Sequence, residues 1–186
     1  MRAVTRYAWA DTAFDLAWTL AVTTGRTERE VLAVYGVRDD ARPTDVTFEA
    51  ALEERNEHFD DYGLLQLKRH GEHLVAIEPN GWVGNAPAVA QQLARPTGLF
   101  VSVYWSANGD HQIVQARDGQ LVARFDPTFI GLPAGANDML PGWVEPEDFP
   151  LDHLKSASLA ALERVTAVAV EESWLTTPLP TYRLPA

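Results

Sequence analysis

The 186-residue sequence predicts an α+β domain, with a mainly antiparallel sheet of about six strands and helices packed on one face. Three observations lead to this prediction. Short segments in which apolar residues alternate with a period of two are typical of strands. Asn-Gly and Asp-Gly pairs between such segments predict tight hairpins, and hairpins give antiparallel pairing. Segments bounded by capping residues predict helices between the strands.

The first half of the chain predicts one strand, two helices and a hairpin. In residues 16–22, "LAWTLAV", Leu16, Trp18, Leu20 and Val22 share one side, which predicts a half-buried strand, with an alanine-rich helix as the competing interpretation. The remaining predicted elements are a helix with a Thr27–Glu30 capping box that ends at Gly36, a loop at 37–46, a helix at 47–58 with an acidic outer face, and strands at 64–69 and 73–78 around a turn at residues 70–72.

The second half predicts a three-stranded meander between two helices. The strands are expected at 99–105, 111–117 and 120–126, with turns at Asn108-Gly109 and Asp118-Gly119. The flanking elements are a helix at 86–94 with Asn85 as its cap and Pro87 in its first turn, a long Pro/Gly-rich loop at 127–150, a helix at 156–170 with Ser156 as its cap, and an extended tail at 176–186.

Composition excludes several classes of function and favours a single globular domain spanning residues 1–186. An apolar fraction of 46% with six tryptophans is typical of a packed core, and the absence of cysteine excludes disulfides and thiolate chemistry. The net charge of −11 disfavours nucleic-acid binding and favours a basic partner. With no signal-peptide pattern and no apolar run of membrane-spanning length, a cytoplasmic location is expected.

Four stretches, "AWTLAVTTGRTEREVLAVYG", "EPNGWVGN", "LFVSVYW" and "DGQLVARFDP", carry a resemblance to a known family. Over roughly Tyr7 to Pro127 the chain resembles an uncharacterised family of actinobacterial proteins, a domain of unknown function. The shared features are a strand led by tryptophan, a helix ended by glycine, a glutamate-Asn-Gly-Trp turn and the meander. The resemblance implies a bacterial protein, and it implies no activity, cofactor or site residue.

The stretch "EPNGWVGN" contains the first candidate site residues, Glu78 and Trp82. Proline, Asn-Gly and the second glycine are explained by turn chemistry, whereas a large ring in a loop beside a carboxylate is not. One interpretation is a recognition lip. The other, which we favour from sequence, is structural: the Trp82 ring packs over the edge of the sheet, and Glu78 takes a backbone or arginine partner.

The acidic segment contains the second candidate group, Glu53, Glu54, Glu57 and His58. Glu53 and Glu57 are four residues apart, as are Glu54 and His58, so each pair shares a helix face. A metal site would need ligand spacings that this segment does not contain, and no cofactor or metal is predicted. A solvated helix face, or an acidic surface that attracts a basic protein, fits the pattern better.

The chain lacks His-Glu-x-x-His, Gly-x-Ser-x-Gly and Gly-x-Gly-x-x-Gly patterns, so no catalytic residue is predicted. The sequence therefore favours a non-catalytic protein-binding domain, possible versions being an immunity or inhibitor protein. The alternative is a small-molecule binder or enzyme with a pocket between the sheet and the 127–150 loop, because loops of that length are uncommon unless functional. That loop contains four residues of interest: Phe129, Asp138, Met139 and Trp143.

Overall fold

The computed structural model describes residues 2–13, 17–130 and 139–185. In chain order the helices are α1 (Arg2–Arg6), α2 (Ala8–Ala13), α3 (Glu28–Val34), α4 (Phe48–Glu57), α5 (Pro87–Leu93), α6 (Leu154–Thr166) and α7 (Ser173–Thr176). The strands are β1 (Trp18–Thr24), β2 (Thr44–Val46), β3 (Gly63–His70), β4 (His73–Pro79), β5 (Leu99–Trp105), β6 (His111–Arg117), β7 (Gln120–Phe125) and β8 (Leu179–Leu184).

The described residues form one open antiparallel sheet of eight strands, in the order β2-β8-β3-β4-β1-β5-β6-β7. The antiparallel sheet is confirmed, but the predicted count of about six strands is too low because β2 and β8 were missed. β2 has three residues and lies at the end of the predicted loop. β8 lies in the tail, which was predicted as extended but not as a strand, and it contains Pro180, which has no N–H to donate. Pro180 is paired with Asp45 of the short β2.

The meander β5–β6–β7 is confirmed, with β5 pairing with β6 and β6 with β7. Asp118 and Gly119 have φ values of 52° and 77°, the left-handed conformation that a two-residue hairpin turn requires at both central positions. In the first hairpin Gly109 has a φ of 87°. These turns were predictable because a two-residue signal decides the local geometry.

Helices cover both faces of the sheet, so the prediction of helices on one face is wrong. Trp18, Leu20 and Val22 of β1 belong to a core cluster that includes the buried residues of α6. Ala21, between them, belongs to a second cluster with residues of α3 and α5 on the opposite face. The central strands are therefore buried on both sides rather than half-buried. Their nearly continuous apolar runs are the pattern expected for strands covered on two faces.

Of the three predicted helix caps, one is present and two differ. The Thr27–Glu30 capping box is present as predicted. The cap of α5 is Ala86, and the Asn85 side chain instead donates to Gln112 Oε1 at 2.8 Å. Helix α6 begins at Leu154, two residues before the predicted cap.

Ser156 lies in the first turn of α6 and is held by Asp11 from α2. Asp11 Oδ1 accepts the Ser156 N–H at 3.1 Å, and its Oδ2 accepts the Ser156 hydroxyl at 2.8 Å. The cap is thus supplied from a distant segment. Helices α1 and α2, which the sequence patterns did not reveal, pack against α6.

Candidate functional site

The segment "EPNGWVGN" wraps its own backbone around the Glu78 carboxylate. Glu78 is the penultimate residue of β4 and is 0% exposed. Its two carboxylate oxygens accept the N–H groups of Val83 at 2.7 Å and Gly84 at 2.6 Å. The expected backbone partner of Glu78 is therefore confirmed. Asn80, with a φ of 46°, turns the chain back so that these donors reach the carboxylate.

Glycine is required at position 84 because side-chain atoms of Glu78 and Tyr35 lie close to its backbone. A Cβ atom at this position would lie 2.7 Å from Glu78 Oε1 and closer still to the Tyr35 hydroxyl. A Cβ atom on Gly81 would lie 2.9 Å from Glu78 Cβ. The two glycines therefore let the backbone close over the carboxylate, a reason that turn chemistry alone did not provide.

Burial raises the pKa of Glu78 to about 7, since removal from water disfavours the charged carboxylate. The N–H groups of Gly84 and Val83 oppose this effect because they stabilise the charge. The Tyr35 hydroxyl also lies beside the carboxylate and lowers its pKa, although its geometry falls short of a hydrogen bond and leaves the hydroxyl oxygen unpartnered. Burial and the neighbouring Glu78 in turn raise the pKa of Tyr35 well above its ordinary value.

The Trp82 ring is on the surface, which differs from the prediction that it packs over the edge of the sheet. Trp82 is 52% exposed, and its nearest ring is Phe59, itself 44% exposed, at 6.1 Å between centroids. The Arg55 guanidinium lies 4.2 Å from the Phe59 ring centroid on the side towards α4. Of the structural interpretation, the backbone partner of Glu78 is present, whereas the Trp82 ring is exposed.

Helix α4 lies beside the Trp82 loop and presents carboxylates outwards. The Asn80 side chain donates to Asn56 Oδ1 in the last turns of α4 at 2.9 Å, which joins the loop to the helix. Glu53 and Glu57 are exposed and form no ion pair or hydrogen bond with the described residues. They lie on the helix to which the Trp82 loop is hydrogen-bonded.

Glu54 and His58, the other two candidates on α4, have internal partners. Glu54 accepts the Tyr62 hydroxyl and an Arg183 N–H, each at 2.9 Å, and these interactions lower its pKa against the opposing effect of burial. His58 Nδ1 lies 3.1 Å from Asp61, and its ring stacks on Tyr62 at 5.1 Å. These two residues therefore contribute to the local structure of the segment after α4.

Trp143 is remote from this surface. Its half-buried ring packs edge-on against Phe125 at 6.2 Å, and Arg164 of α6 lies 5.8 Å from its centroid. Of the long loop, residues 131–138, which include Asp138, lie outside the described residues. Met139 exchanges two backbone hydrogen bonds with Arg124 and so ties the loop to β7. The structure thus does not bring Trp143 together with the other candidates.

A cavity of about 830 Å³ lies beside the end of the long loop. Its walls come from residues 147–150, from the N-terminal helices and from alanines of α6, among them Ala157, Ala160 and Ala161. No strand contributes to this lining. This cavity lies between helices and the end of the loop, and residues 131–138 of the same loop are outside the described residues.

Two features are absent from the described residues. No group of three or more histidine, aspartate or glutamate side chains is placed to hold a metal ion in this part of the chain. Among the same residues, no helix combines the length and apolar character that crossing a membrane requires.

Sequence reasoning missed Tyr35, Arg55 and Phe59 at this site. Tyr35 follows α3, and Phe59 comes two residues after α4. Both positions depend on how α3 and α4 pack against the end of β4, which no local pattern encodes. An isolated phenylalanine in the polar segment "NEHFDDY" was the one available signal.

Comparison with known proteins gives one match. No curated protein matches the chain, and no solved structure matches it. The model of a family of unknown function, DUF6461, matches residues 1–182, which extends well beyond the region that carried the resemblance in sequence. The chain therefore belongs to the DUF6461 family.

Proposed function

We propose that the protein is a non-catalytic binding domain that recognises a basic protein partner through Phe59, Trp82 and the exposed face of α4. This set of residues is called the Trp82 surface below. Neutralisation of the partner, as immunity and inhibitor proteins do, is the concrete form of the proposal. The observation that carries it is an exposed aromatic pair in a cavity that the exposed Asp60 also lines, on a loop hydrogen-bonded to α4, the helix that carries Glu53 and Glu57.

The aromatic pair supplies the apolar anchor of the surface. Tryptophan is enriched among the few residues that dominate binding energy in protein interfaces. Trp82 and Phe59 are 52% and 44% exposed, so each keeps a large apolar area for a partner to cover. The loop beneath Trp82 is fixed by the two N–H bonds to Glu78, so little ordering is needed on binding.

The carboxylates supply the charge. Glu49, Glu53 and Glu57 recur every four residues on α4 and are exposed, and Asp60 lines the same cavity as Trp82. With a net charge of −11 on the whole chain, this arrangement attracts a basic partner over long range and favours fast association. A nucleic acid would be repelled by the same field.

The geometry favours binding over catalysis at this place. Glu78 has a pKa of about 7, the range in which a general acid or base works well. Its carboxylate is 0% exposed, however, and both oxygens are covered by the backbone of residues 83 and 84. A substrate would have to displace the loop to reach it.

The alternative, a small-molecule binder or enzyme with a pocket against the long loop, remains a second candidate. The cavity beside residues 147–150 favours it, since its floor is apolar and charged groups such as Asp148 and Arg164 line it. Those two groups are paired with each other at 3.1 Å, which leaves less charge for a ligand. We therefore place this alternative second.

Affinity capture with the parent and with Trp82→Ala tests the partner proposal. The immobilised proteins are exposed to lysate of the native cells, and retained proteins are identified by mass spectrometry. We expect a basic protein that the parent retains and Trp82→Ala does not. With that partner purified, Trp82→Ala should weaken binding by at least about 30-fold, which is the threshold of an interface hot spot of about 2 kcal/mol.

The matched control is Leu151→Ala, because Leu151 is a large apolar side chain that is 69% exposed outside the Trp82 surface. This variant should retain the partner as the parent does. The double variant Glu53→Gln/Glu57→Gln should lower the association rate roughly threefold to tenfold at low salt, with a smaller effect at high salt. Equal capture by parent and Trp82→Ala, or loss with Leu151→Ala as well, would contradict the proposal.

A further inference from the structure

Two cavities that share part of their lining lie along the C-terminal end of β8, and together we call them the β8 cleft. Their volumes are about 540 and 410 Å³. Both are lined by Leu64, Leu184 and Pro185, which form a continuous apolar floor. The larger cavity extends towards the segment before β2, and the smaller one extends under Phe59 towards the Trp82 loop.

The larger cavity is cationic in a strongly acidic protein. Three arginines, Arg38, Arg42 and Arg183, line it together with one carboxylate, Glu54, so its lining has a formal charge of +2 against −11 for the chain. Arg183 pairs with Glu54 at 2.9 Å, and Arg38 pairs at 2.9 Å with Asp40, which is outside the lining.

Arg42 is the cation of this cavity that lacks a counter-ion. It is exposed, and within the described ranges it forms neither an ion pair nor a hydrogen bond. The planar guanidinium of arginine can donate two parallel hydrogen bonds to two oxygens of a carboxylate or of a phosphate. All hydrogen-bond donors of the Arg42 guanidinium are therefore available to a ligand at the wall of the cleft.

The smaller cavity contains a further cation, Arg55, and the carboxyl groups of Asp60 and Glu78 are also in its lining. Arg55 is 4% exposed, yet none of the carboxylates described by the structure lies within 4 Å of it. Its Nη1 donates to the carbonyls of His58 and Phe59, while its Nε is buried without a hydrogen-bond partner. Burial lowers the pKa of Arg55 because the charged form is removed from water, and nearby Asp60 opposes this effect. An anion in the cleft would reduce that cost.

We propose that the β8 cleft binds a small organic oxyanion. The phosphate or carboxylate head group is held by Arg42, with Arg38 and Arg183 beside it. The apolar body of the molecule lies over Leu64 and Leu184 and points towards Phe59. The ligand is small because the field of a chain with a charge of −11 repels extended polyanions outside this local cationic region.

The test of this ligand site depends on Arg42, which has no part in the proposed binding of a protein partner. Arg42 is on the segment before β2 and contributes nothing to the Trp82 surface. Loss of ligand binding in an Arg42 variant and loss of partner binding in Trp82→Ala would therefore be separate results. Either proposal can fail without the other.

Amide-resolved NMR titration tests the proposal with four probes: phenyl phosphate, benzoate, inorganic phosphate and benzyl alcohol. We expect phenyl phosphate or benzoate to shift amides in residues 36–46 and 181–185, with a Kd below about 10 mM. The better of these two identifies the head group. Benzyl alcohol, which lacks the charge, and inorganic phosphate, which lacks the apolar body, should bind at least about tenfold more weakly.

Arg42→Gln is the test variant, and its fold should be unchanged because the side chain is exposed. It should weaken binding of the better probe by at least about tenfold, which is the loss of one charge-assisted hydrogen-bond pair. The matched control is Arg117→Gln, an exposed arginine at the end of β6, which should bind as the parent does. The proposal is overturned if neither charged probe shifts these amides, if benzyl alcohol binds equally well, or if Arg42→Gln binds as tightly as the parent.

Discussion

Glu78→Gln should make the protein less sensitive to alkaline pH, because glutamine copies the protonated side chain. The parent carboxylate is 0% exposed and accepts N–H bonds from Val83 and Gly84. Burial raises its pKa to about 7 from the ordinary 4.5. Glutamine has nearly the same shape and one acceptor oxygen but cannot ionise. The substitution therefore removes the charge and leaves the packing in place.

The sign and size of the effect follow from proton linkage. Between pH 4.5 and 7 the folded state keeps the Glu78 proton while the unfolded state loses it, so folding stability falls as pH rises through this window. The contribution is fully present below pH 4.5 and lost above pH 7. The difference in pKa corresponds to about 3 kcal/mol in total, at about 1.4 kcal/mol for each pKa unit. From pH 5.5 to 8 the share of Glu78 is about 2 kcal/mol.

Urea unfolding at several pH values between 5.5 and 8 measures this difference and stays above the isoelectric point of about 4.8. The parent should lose about 2 kcal/mol more over this range than Glu78→Gln does. Tyr35, Arg55 and Asp60 face the same region and are unchanged in the variant, so they do not produce the difference. The control is Glu72→Gln at an exposed position, and its free energy of unfolding should change with pH as the parent's does. Parallel curves for parent and Glu78→Gln would refute the reasoning.

Three further changes test individual contacts by urea unfolding. Gly84→Ala should destabilise the fold by about 1–3 kcal/mol, because its Cβ would overlap the atoms packed against Glu78, whereas Gly142→Ala, with no atom within 4 Å, should be nearly neutral. Asp11→Ala should cost about 1–2 kcal/mol through loss of the cap on α6; an effect no larger than that of Asp39→Ala on the surface would contradict this. Trp82→Ala should cost no more than about 2 kcal/mol, since a half-exposed ring loses less than the ~3–5 kcal/mol typical of a buried one, and a larger loss would restore the structural interpretation.

Elements decided by local signals could be predicted from the sequence, and elements decided by distant partners could not. The hairpin at Asp118-Gly119 and the capping box at Thr27 each depend on residues within a few positions. β8 is a strand because β2 and β3 offer free edges more than a hundred residues earlier in the chain. The cap of α6 likewise comes from Asp11, far away in sequence.

The same distinction explains the candidate site. Sequence identified Glu78 and Trp82 as the residues that turn chemistry leaves unexplained, and both are central to the structure. The exposure of Trp82 was predicted wrongly, because a large apolar ring suggested burial, whereas the expected backbone partner of Glu78 is present. The alternation of β4 puts Glu78 on the same face as Leu74 and Ala76, whose cluster also contains Tyr35 and closes over the strand end. That closure depends on tertiary packing, which no local sequence pattern encodes.

The burial of Glu78 and the exposure of Trp82 have a common cause. The carboxylate takes its donors from residues 83 and 84, which fixes the backbone immediately after Trp82. On the other side, Thr19 of β1 donates its hydroxyl to the Gly81 carbonyl at 2.7 Å, which fixes the backbone immediately before it. With the chain pinned inwards on both sides, the intervening side chain is directed outwards next to Phe59. The buried carboxylate is thus a positioning group for an exposed aromatic, and a rigidly presented ring of this kind is what an interface anchor requires.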